Sequence, residues 1–304
     1  MVGIVILNYN NPLDTINCVD SVVKYNSYPS KIVVVDNAST DDSVNLLGEY
    51  IIKRKQDGVK IELVQSLHNG GYAQGNNIGL HHFENDVDVD YVMILNNDIL
   101  FTMDIIPNLV KFSKEHPDSG LISPLLFAKD GKSIDSNCAR LSPSNWDIII
   151  TFLLHYHDLY GIISNRRKNL KILDKNPEFV RESFVKIELP SGSCMLIKKK
   201  LFEMIDWFDP NTFLYYEENI LYRKLHLRGK TNYMIPSVSC IHLGAQSTSK
   251  NPIPFLKNVE ANSASYYLNR YGDMSIWMRF MAFFAFNSFS LRLKISNWIK
   301  SVTH

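Results

Sequence analysis

The chain has 304 residues, of which 45% are hydrophobic and 21% charged, which excludes a disordered or collagen-like protein. Lysine and arginine (32) nearly balance aspartate and glutamate (31), and the net charge of +1 argues against a protein that binds nucleic acid through its phosphate backbone. Four scattered cysteines indicate reduced thiols rather than a disulfide or zinc framework. The first seven residues are typical of a strand, not of a signal peptide, so we expect a cytoplasmic protein.

The first half of the chain alternates between strands and helices. Apolar runs predict strands over 2–7, 31–36, 60–64, 90–95 and 120–127, with helices over 13–25, 43–55 and 104–115. A glycine-bearing turn over 68–75 leads into a further predicted helix that ends at about residue 82. This alternation predicts a mostly parallel sheet with helices on both faces. Ligands of such sheets bind beyond the carboxyl ends of the strands, where four polar turns lie, at 8–11, 36–42, 69–76 and 96–98. We therefore expect these turns to converge on one crevice.

The second half of the chain is less regular. We expect residues 130–190, with a basic run at 166–171, to be an insertion that covers the crevice rather than a separate domain. Beyond it, the pattern predicts regular structure over 189–197 and a short helix over 199–205. It also predicts a helix over 217–229 closed by Gly229, and two strands over 231–235 and 238–242.

Residues 275–304 contain aromatic and basic residues but no acidic residue. This pattern is typical of a helix lying on an anionic membrane surface, although apolar residues at helical spacing also pack on a protein core. Both interpretations stay open. The longest uncharged stretch, residues 280–291, is too short to span a bilayer, which needs about 20 residues.

Three polar segments could carry chemistry. Asp98 directly follows a hydrophobic strand. A carboxylate there suits a divalent cation that also binds phosphate oxygens of a substrate. Asn and Asp are, however, also common in ordinary turns. Asp36 also ends a buried strand and could accept hydrogen bonds from a ribose or a base, while Ser39 and Asp41 are equally typical of helix caps. The glycine-bearing turn at 69–77 could bring backbone N–H groups to an anion.

Two further candidates lie in the second half of the chain. Glu217 and Glu218 follow an aromatic stretch, and adjacent carboxylates beside aromatics can have the raised pKa of a general base. The alternative is favourable charge at a helix N-terminus. His242 ends a strand and could complete a metal site, although a lone histidine is more often structural. The chain has neither the dinucleotide fingerprint nor a P-loop, which disfavours an NAD enzyme and a P-loop NTPase.

In chain order, these motifs resemble family 2 glycosyltransferases, most closely the rhamnosyltransferase-like bacterial branch that builds cell-surface polysaccharide. The resemblance covers about residues 2–250 and rests on VVVDNASTDDS (33–43), NGGYAQGNNIG (69–79), LNND (95–98), SGSCMLI (191–197), WFDP…FLYYEE (207–218) and IHLG…S (241–247). It implies a GT-A fold over residues 1–250, followed by a C-terminal helical segment over 251–304, to which the membrane contact of the first interpretation would belong. It does not identify the sugar.

The resemblance also implies roles for individual residues. The nucleotide would lie against Asn8, Tyr9 and Asn10. Its base or ribose would contact Asp36, with Asn37, Ser39 and Asp41 nearby. The donor site would be completed by Gly70, Gly71, Tyr72, Asn76, Asn96 and Asn97. Asp98 would bind Mn²⁺ or Mg²⁺, and His242 would bind the metal or the diphosphate. The base falls on Glu218, beside Glu217, where the family carries aspartate. Asn96 replaces an acid of the family's metal motif, and Ile220 stands where many relatives carry a further acid.

The implied activity is inverting transfer from a nucleotide-diphospho-sugar, with dTDP-rhamnose or a UDP-sugar favoured, to a saccharide or lipid-linked acceptor. The enzyme would act in the cytoplasm, at the inner face of the membrane if the tail binds lipid, and the sequence leaves a homo-oligomer open. Two alternatives are a sugar-phosphate nucleotidyltransferase, disfavoured because the turn 8–11 lacks glycine and arginine, and a non-catalytic nucleotide-sugar-binding protein, disfavoured by the retained Glu217 and Glu218.

Overall fold

A computed structural model describes residues 1–156, 177–244 and 252–302. The strands are β1 (Val2–Asn8), β2 (Ser30–Asp36), β3 (Ile61–Gln65), β4 (Tyr91–Asn96), β5 (Ile99–Phe101), β6 (Ser119–Phe127), β7 (Ala139–Arg140), β8 (Val185–Ile187), β9 (Leu189–Pro190), β10 (Cys194–Lys198) and β11 (Thr231–His242). The α-helices are α1 (Pro12–Tyr25), α2 (Ser43–Gln56), α3 (Gly71–His82), α4 (Ile106–Glu115), α5 (Asn145–Tyr156), α6 (Lys199–Met204), α7 (Glu217–His226), α8 (Ile253–Tyr271) and α9 (Ile276–Val302). A 3₁₀ helix covers Pro177–Arg181.

The central sheet has the order β3-β2-β1-β4-β10-β6-β11-β5, with β8 beside β11. Strands β3, β2, β1 and β4 are parallel, as are β6 and β11, whereas β10 runs antiparallel to both β4 and β6. Side chains alternate between two cores: Ile4 and Ile6 pack into one, and Val5 packs into the other. Burial on both faces explains why these strands are continuous apolar runs. The predicted α/β architecture is therefore confirmed.

Some predicted boundaries were wrong. The segment predicted over 189–197 is broken by a turn at Ser191–Ser193, because β9 pairs with β7 while β10 joins the central sheet. The two strands predicted over 231–235 and 238–242 are one strand, β11, whose pairing with β6 shifts between Ile235 and Ser239. Pro236 has no N–H to donate, which suits this irregularity. Helix α7 ends at His226, three residues before Gly229.

The C-terminal helices pack on helix α5 of the predicted insertion. Ile149 and Phe152 of α5 form one apolar cluster with Leu268 of α8 and with Ala285 and Phe289 of α9. One face of α9 is therefore buried against protein, as the packing interpretation expected. Within the described residues, no helix is both long and apolar enough to cross a membrane. The predicted basic run at 166–171 lies outside the described residues.

Candidate active site

A buried polar network joins the carboxyl ends of β2, β1 and β4. The Asn8 amide donates to Oδ2 of Asp36 (2.8 Å), and its Oδ1 accepts from the Thr15 hydroxyl (2.8 Å). Asn97 donates to the same hydroxyl (3.0 Å). Because every member is buried and bonded, the network fixes three strand ends relative to one another.

The turn after β2 is held by Asp36 and faces the turn after β1. Asp36 accepts from the backbone N–H of Ser39 (2.9 Å) and from the Ser39 hydroxyl, and that hydroxyl accepts from the N–H of Asn10 (2.9 Å). Asp41 is exposed and accepts from the N–H of Ser43 (3.0 Å), but it is not the predicted helix cap, because the N-cap of α2 is Asp42 and the Asp42 side chain makes no capping hydrogen bond. Tyr9 follows β1 and is half-buried.

The glycine-bearing turn is tied to two other segments. Asn37 donates to Oδ1 of Asn69 (2.9 Å) and to the carbonyl of Gly71 (3.1 Å), and it accepts from the N–H of Gly70 (3.3 Å). Gly71 has a φ of +77°, and a Cβ there would lie 2.0 Å from the carbonyl oxygen of Phe213. Only glycine fits this combination of a left-handed backbone and close approach.

The side-chain amide of Asn76 bonds within its own helix, α3. Its amide donates to the carbonyl of Tyr72 (2.9 Å), and none of the described residues donates to its buried Oδ1. Asn96 continues the β4–β10 pairing, because its N–H donates to the carbonyl of Ser193 (2.8 Å). This bond brings the 96–98 turn beside the turn between β9 and β10.

Asp98, His242 and Asp135 form a row of charges. Nε2 of His242 lies 3.5 Å from Oδ2 of Asp98, and its Nδ1 lies 2.8 Å from Oδ2 of Asp135. The β5–β11 pairing, in which His242 faces Ile99, brings the histidine to Asp98. Burial acts to lower the pKa of His242, but hydrogen bonds to Asp135 and Asp98 outweigh burial and raise this pKa to about 9.

Glu218 lies at the start of α7 and faces the turn between β9 and β10. Its Oε1 accepts from the N–H of Gly192 (3.0 Å) and lies 3.4 Å from Nη2 of Arg140. The Tyr72 hydroxyl donates to the carbonyl of Gly192. The carboxylate of Glu218 therefore meets one backbone N–H donor and one guanidinium.

Glu217 has the opposite environment. Burial first, and then the negative charge of Glu218, raise the pKa of Glu217 from 4.5 to about 8. Its Oε1 accepts no hydrogen bond within the part of the chain that the structure describes. The raised pKa favours the protonated form of Glu217 near neutral pH, whereas the carboxylate of Glu218 receives a backbone N–H and faces a guanidinium.

The structure thus brings the predicted residues to one edge of the sheet, and it adds three that sequence reasoning missed. Arg140 and Asp135 come from the predicted insertion, which has no motif to identify them. Gly192 belongs to the SGSCMLI motif, but nothing in the sequence indicated that its N–H meets Glu218. Among the described residues, no group of three His, Cys, Asp or Glu side chains is arranged to hold a metal ion.

Residues 3–205 match the family described as Glycosyl transferase family 2. The chain belongs to this family. It is 29% identical over 177 residues to the rhamnosyltransferase WbbL of Escherichia coli, covering 57% of this chain and 60% of that protein. It is 25% identical over 266 residues to the N-acetylglucosaminyl-diphospho-decaprenol L-rhamnosyltransferase of Mycobacterium tuberculosis, covering 83% and 78%. The predicted relationship to the rhamnosyltransferase-like branch is confirmed.

A third relative is the low-salt glycan biosynthesis hexosyltransferase Agl10 of Haloferax volcanii, which is 24% identical over 216 residues, or 71% of this chain. The chain spans about three-fifths of the length of the Haloferax and Escherichia proteins, at 58% and 60%.

Solved structures show the same fold. The mannosyltransferase PcManGT of Pyrobaculum calidifontis, in complex with GDP-Man and Mn²⁺, matches with a TM-score of 0.56 at 16% identity, covering 99% of this chain and 79% of that one. TarS of S. aureus in complex with UDP-GlcNAc matches with a TM-score of 0.55 at 13% identity, covering 94% and 72%. The GT-A fold expected from the sequence is thereby confirmed.

Proposed function

We propose that this family 2 member is an inverting glycosyltransferase that moves a sugar from a nucleotide-diphospho-sugar to an acceptor hydroxyl in cell-surface polysaccharide synthesis. The observation that carries the proposal is the position of Glu218 at the start of α7: its carboxylate accepts from the N–H of Gly192, in the same turn whose Ser193 carbonyl bonds the N–H of Asn96 at the 96–98 turn. The names of the relatives support a hexose donor, with dTDP-rhamnose or a UDP-sugar favoured. The Mycobacterium relative's name also supports a lipid-linked acceptor.

A divalent cation fits the residues at Asp98. None of the described residues donates to its buried Oδ1, which leaves a hard oxygen ligand available. We infer that Asp98 holds Mn²⁺ or Mg²⁺, and the Pyrobaculum enzyme with GDP-Man and Mn²⁺ supports this. As an imidazolium, His242 beside Asp98 would contact the diphosphate rather than the metal. Held by Asp98, such a cation would supply positive charge to a diphosphate leaving group.

The chain's own residues then have separate tasks. The Asp36 network and the glycine-bearing turn hold the donor at the strand ends. Glu218 accepts the proton of the acceptor hydroxyl as its oxygen attacks the anomeric carbon on the face opposite the diphosphate, so the configuration inverts. General-base assistance of this kind contributes about 10²–10⁴-fold to a rate.

A donor screen tests the proposal. Thermal unfolding of the full chain is followed with UDP-, dTDP- and GDP-sugars, with and without Mn²⁺, because a ligand that binds the folded state raises its stability. The donor that raises the midpoint is then supplied in radiolabelled form with candidate acceptors. Transfer of the sugar supports the proposal. Binding of a donor with neither transfer nor hydrolysis would instead indicate a non-catalytic binding protein, and nucleotide exchange with a sugar phosphate would indicate a nucleotidyltransferase.

We also propose that α9 lies on an anionic lipid surface. The aromatic side chains of Trp277, Phe280, Phe283 and Phe284 are at least half exposed, while Ala285 on the opposite face is buried against the protein. Arg279 and Lys294 are exposed beside them, and residues 275–304 contain no acid. An exposed aromatic face flanked by positive charge suits the headgroup region of such a membrane.

Vesicle co-sedimentation tests this surface. The triple variant Trp277→Ser, Phe280→Ser, Phe283→Ser should lose binding to vesicles that contain phosphatidylglycerol, whereas Val87→Ser, which removes an exposed apolar side chain elsewhere, should keep it. Binding of the wild type should weaken with salt and on purely zwitterionic vesicles. Equal sedimentation of the triple variant and the wild type would contradict the proposal.

A further inference from the structure

Residues 209–216 form the second part of the loop between α6 and α7, and they begin at a buried carboxylate that accepts hydrogen bonds from two tyrosines of α8. Oδ2 of Asp209 accepts from the hydroxyls of Tyr266 (2.8 Å) and Tyr271, both on α8. Its Oδ1 accepts from the N–H (3.0 Å) and the side-chain amide (2.7 Å) of Asn211. Burial acts to raise the pKa of Asp209, but these hydrogen bonds hold it below its usual range.

The far end of the same loop is also held by α8. The Ser263 hydroxyl donates to the carbonyl of Leu214 (2.8 Å), and the ring of Tyr216 lies 5.6 Å from that of Tyr267. Tyr215 and Tyr216 have φ values of +73° and +69°. Two consecutive non-glycine residues in the left-handed region are unfavourable and persist only where the surroundings hold them.

The loop contacts the crevice on its other side. The carbonyl of Phe213 accepts from the N–H of Tyr72 (2.8 Å), and the carbonyl of Pro210 accepts from the side chain of Gln74 (2.9 Å). The loop therefore lies between α8 and the glycine-bearing turn, and it leads directly into Glu217 and Glu218.

We propose that Tyr266 and Tyr271 are positioning residues: through Asp209 they fix the loop 209–216 and thereby the place of the Glu218 carboxylate in the crevice. This inference rests on the proposed transfer activity, and it makes α8 part of the catalytic unit rather than an appendage of the domain. A displacement of about 1 Å at a reacting group can cost 10²-fold in rate, so small shifts of the loop matter.

The test removes tyrosine hydroxyls by Tyr→Phe substitution in the full chain. The double variant Tyr266→Phe, Tyr271→Phe keeps both rings and removes both donors to Asp209. Tyr233→Phe is the matched control, because its hydroxyl donates to Asp118 (2.6 Å) just before β6, away from the carboxyl ends of the strands. We expect kcat for transfer to fall about tenfold or more in the double variant, with the donor Kd within about twofold of wild type. The control should keep both values.

A second arm separates positioning from general loosening. If the tyrosines act through Glu218, then adding their double substitution to Glu218→Gln should lower kcat by less than about twofold further. Should the double variant unfold, the single variants Tyr266→Phe and Tyr271→Phe, each of which removes one donor to Asp209, replace it in both arms. An unchanged kcat, a parallel loss of kcat and donor affinity, or a full further loss in the Glu218→Gln background would overturn the inference. Absence of transfer in the wild type would instead contradict the proposed function.

Discussion

The peptide N–H of Gly192 donates a hydrogen bond to Oε1 of Glu218 across 3.0 Å. A Cβ at this glycine would lie 2.9 Å from the same oxygen and 3.2 Å from the Tyr72 hydroxyl. The turn between β9 and β10 is therefore shaped around the carboxylate, and any side chain at position 192 must displace it.

We predict that Gly192→Ala lowers kcat for transfer about 10- to 100-fold, because Glu218 moves away from its place in the crevice. Steady-state kinetics with a saturating donor measure this. Gly48→Ala is the control: nothing lies within 4 Å of a Cβ in that helix position, so the change should stabilise α2 by about 0.5–1 kcal/mol and leave kcat unchanged. A kcat for Gly192→Ala equal to that of the control would argue against the contact.

The raised pKa of Glu217 predicts how the free energy of unfolding depends on pH. Its pKa is raised from 4.5 to about 8, so between these values the unfolded chain releases a proton that the folded chain retains. The folded state therefore loses stability as the pH rises through this window, on the order of 1.4 kcal/mol per pH unit from this group.

Glu217→Gln should remove that loss, since glutamine is neutral at every pH. We predict that urea denaturation at pH 5, 6, 7 and 8 gives a stability difference, variant minus wild type, that increases steadily with pH. A difference that is constant across the series would show that Glu217 is ionised in the folded protein.

Gly71 is predicted to tolerate no side chain. Gly71→Ala combines a left-handed φ with a contact of 2.0 Å to the backbone oxygen of Phe213, which cannot move without breaking its bond to the N–H of Tyr72. Gly58 has a similar φ, +84°, but open space around its Cβ, so Gly58→Ala reports the backbone cost alone, about 1–2 kcal/mol. We expect urea denaturation to show a much larger loss for Gly71→Ala, together with lost donor binding. Equal losses would contradict the close approach.

Asp98 is predicted to make donor binding metal-dependent. In the wild type, Mn²⁺ should increase the thermal shift caused by a nucleoside diphosphate, because a cation held by Asp98 would also attract the phosphates. In Asp98→Ala, the shift with Mn²⁺ should fall to the value measured without metal. The titration in EDTA controls for nucleotide binding alone, and a metal effect of unchanged size in the variant would assign the cation to other residues.

Much of this architecture was accessible from the sequence, for identifiable physical reasons. Strands such as β1 and β2 are buried on both faces and are therefore continuous apolar runs that end in polar turns, so their positions and the convergence of those turns could be predicted. Glu217 and Glu218 were visible as a pair because they are adjacent in the chain.

Other features could not be predicted, because they depend on contacts between distant segments. The strand β5 has three residues, and its pairing with β11 is what brings His242 to Asp98. Arg140 reaches Glu218 because β7 pairs with β9, which no local pattern indicates. The raised pKa of Glu217 likewise arises mainly from burial, which a pair of adjacent glutamates in a sequence does not reveal.

The most direct test replaces Glu218 with glutamine and measures both sugar transfer and donor binding, with Glu217→Gln as the comparison. Glutamine keeps the shape of the side chain but cannot accept the proton of the acceptor hydroxyl. The account predicts that Glu218→Gln lowers kcat by about 10²–10⁴-fold with the donor Kd nearly unchanged, and that Glu217→Gln loses far less activity. Near-normal turnover in Glu218→Gln, or the larger loss in Glu217→Gln, would contradict it.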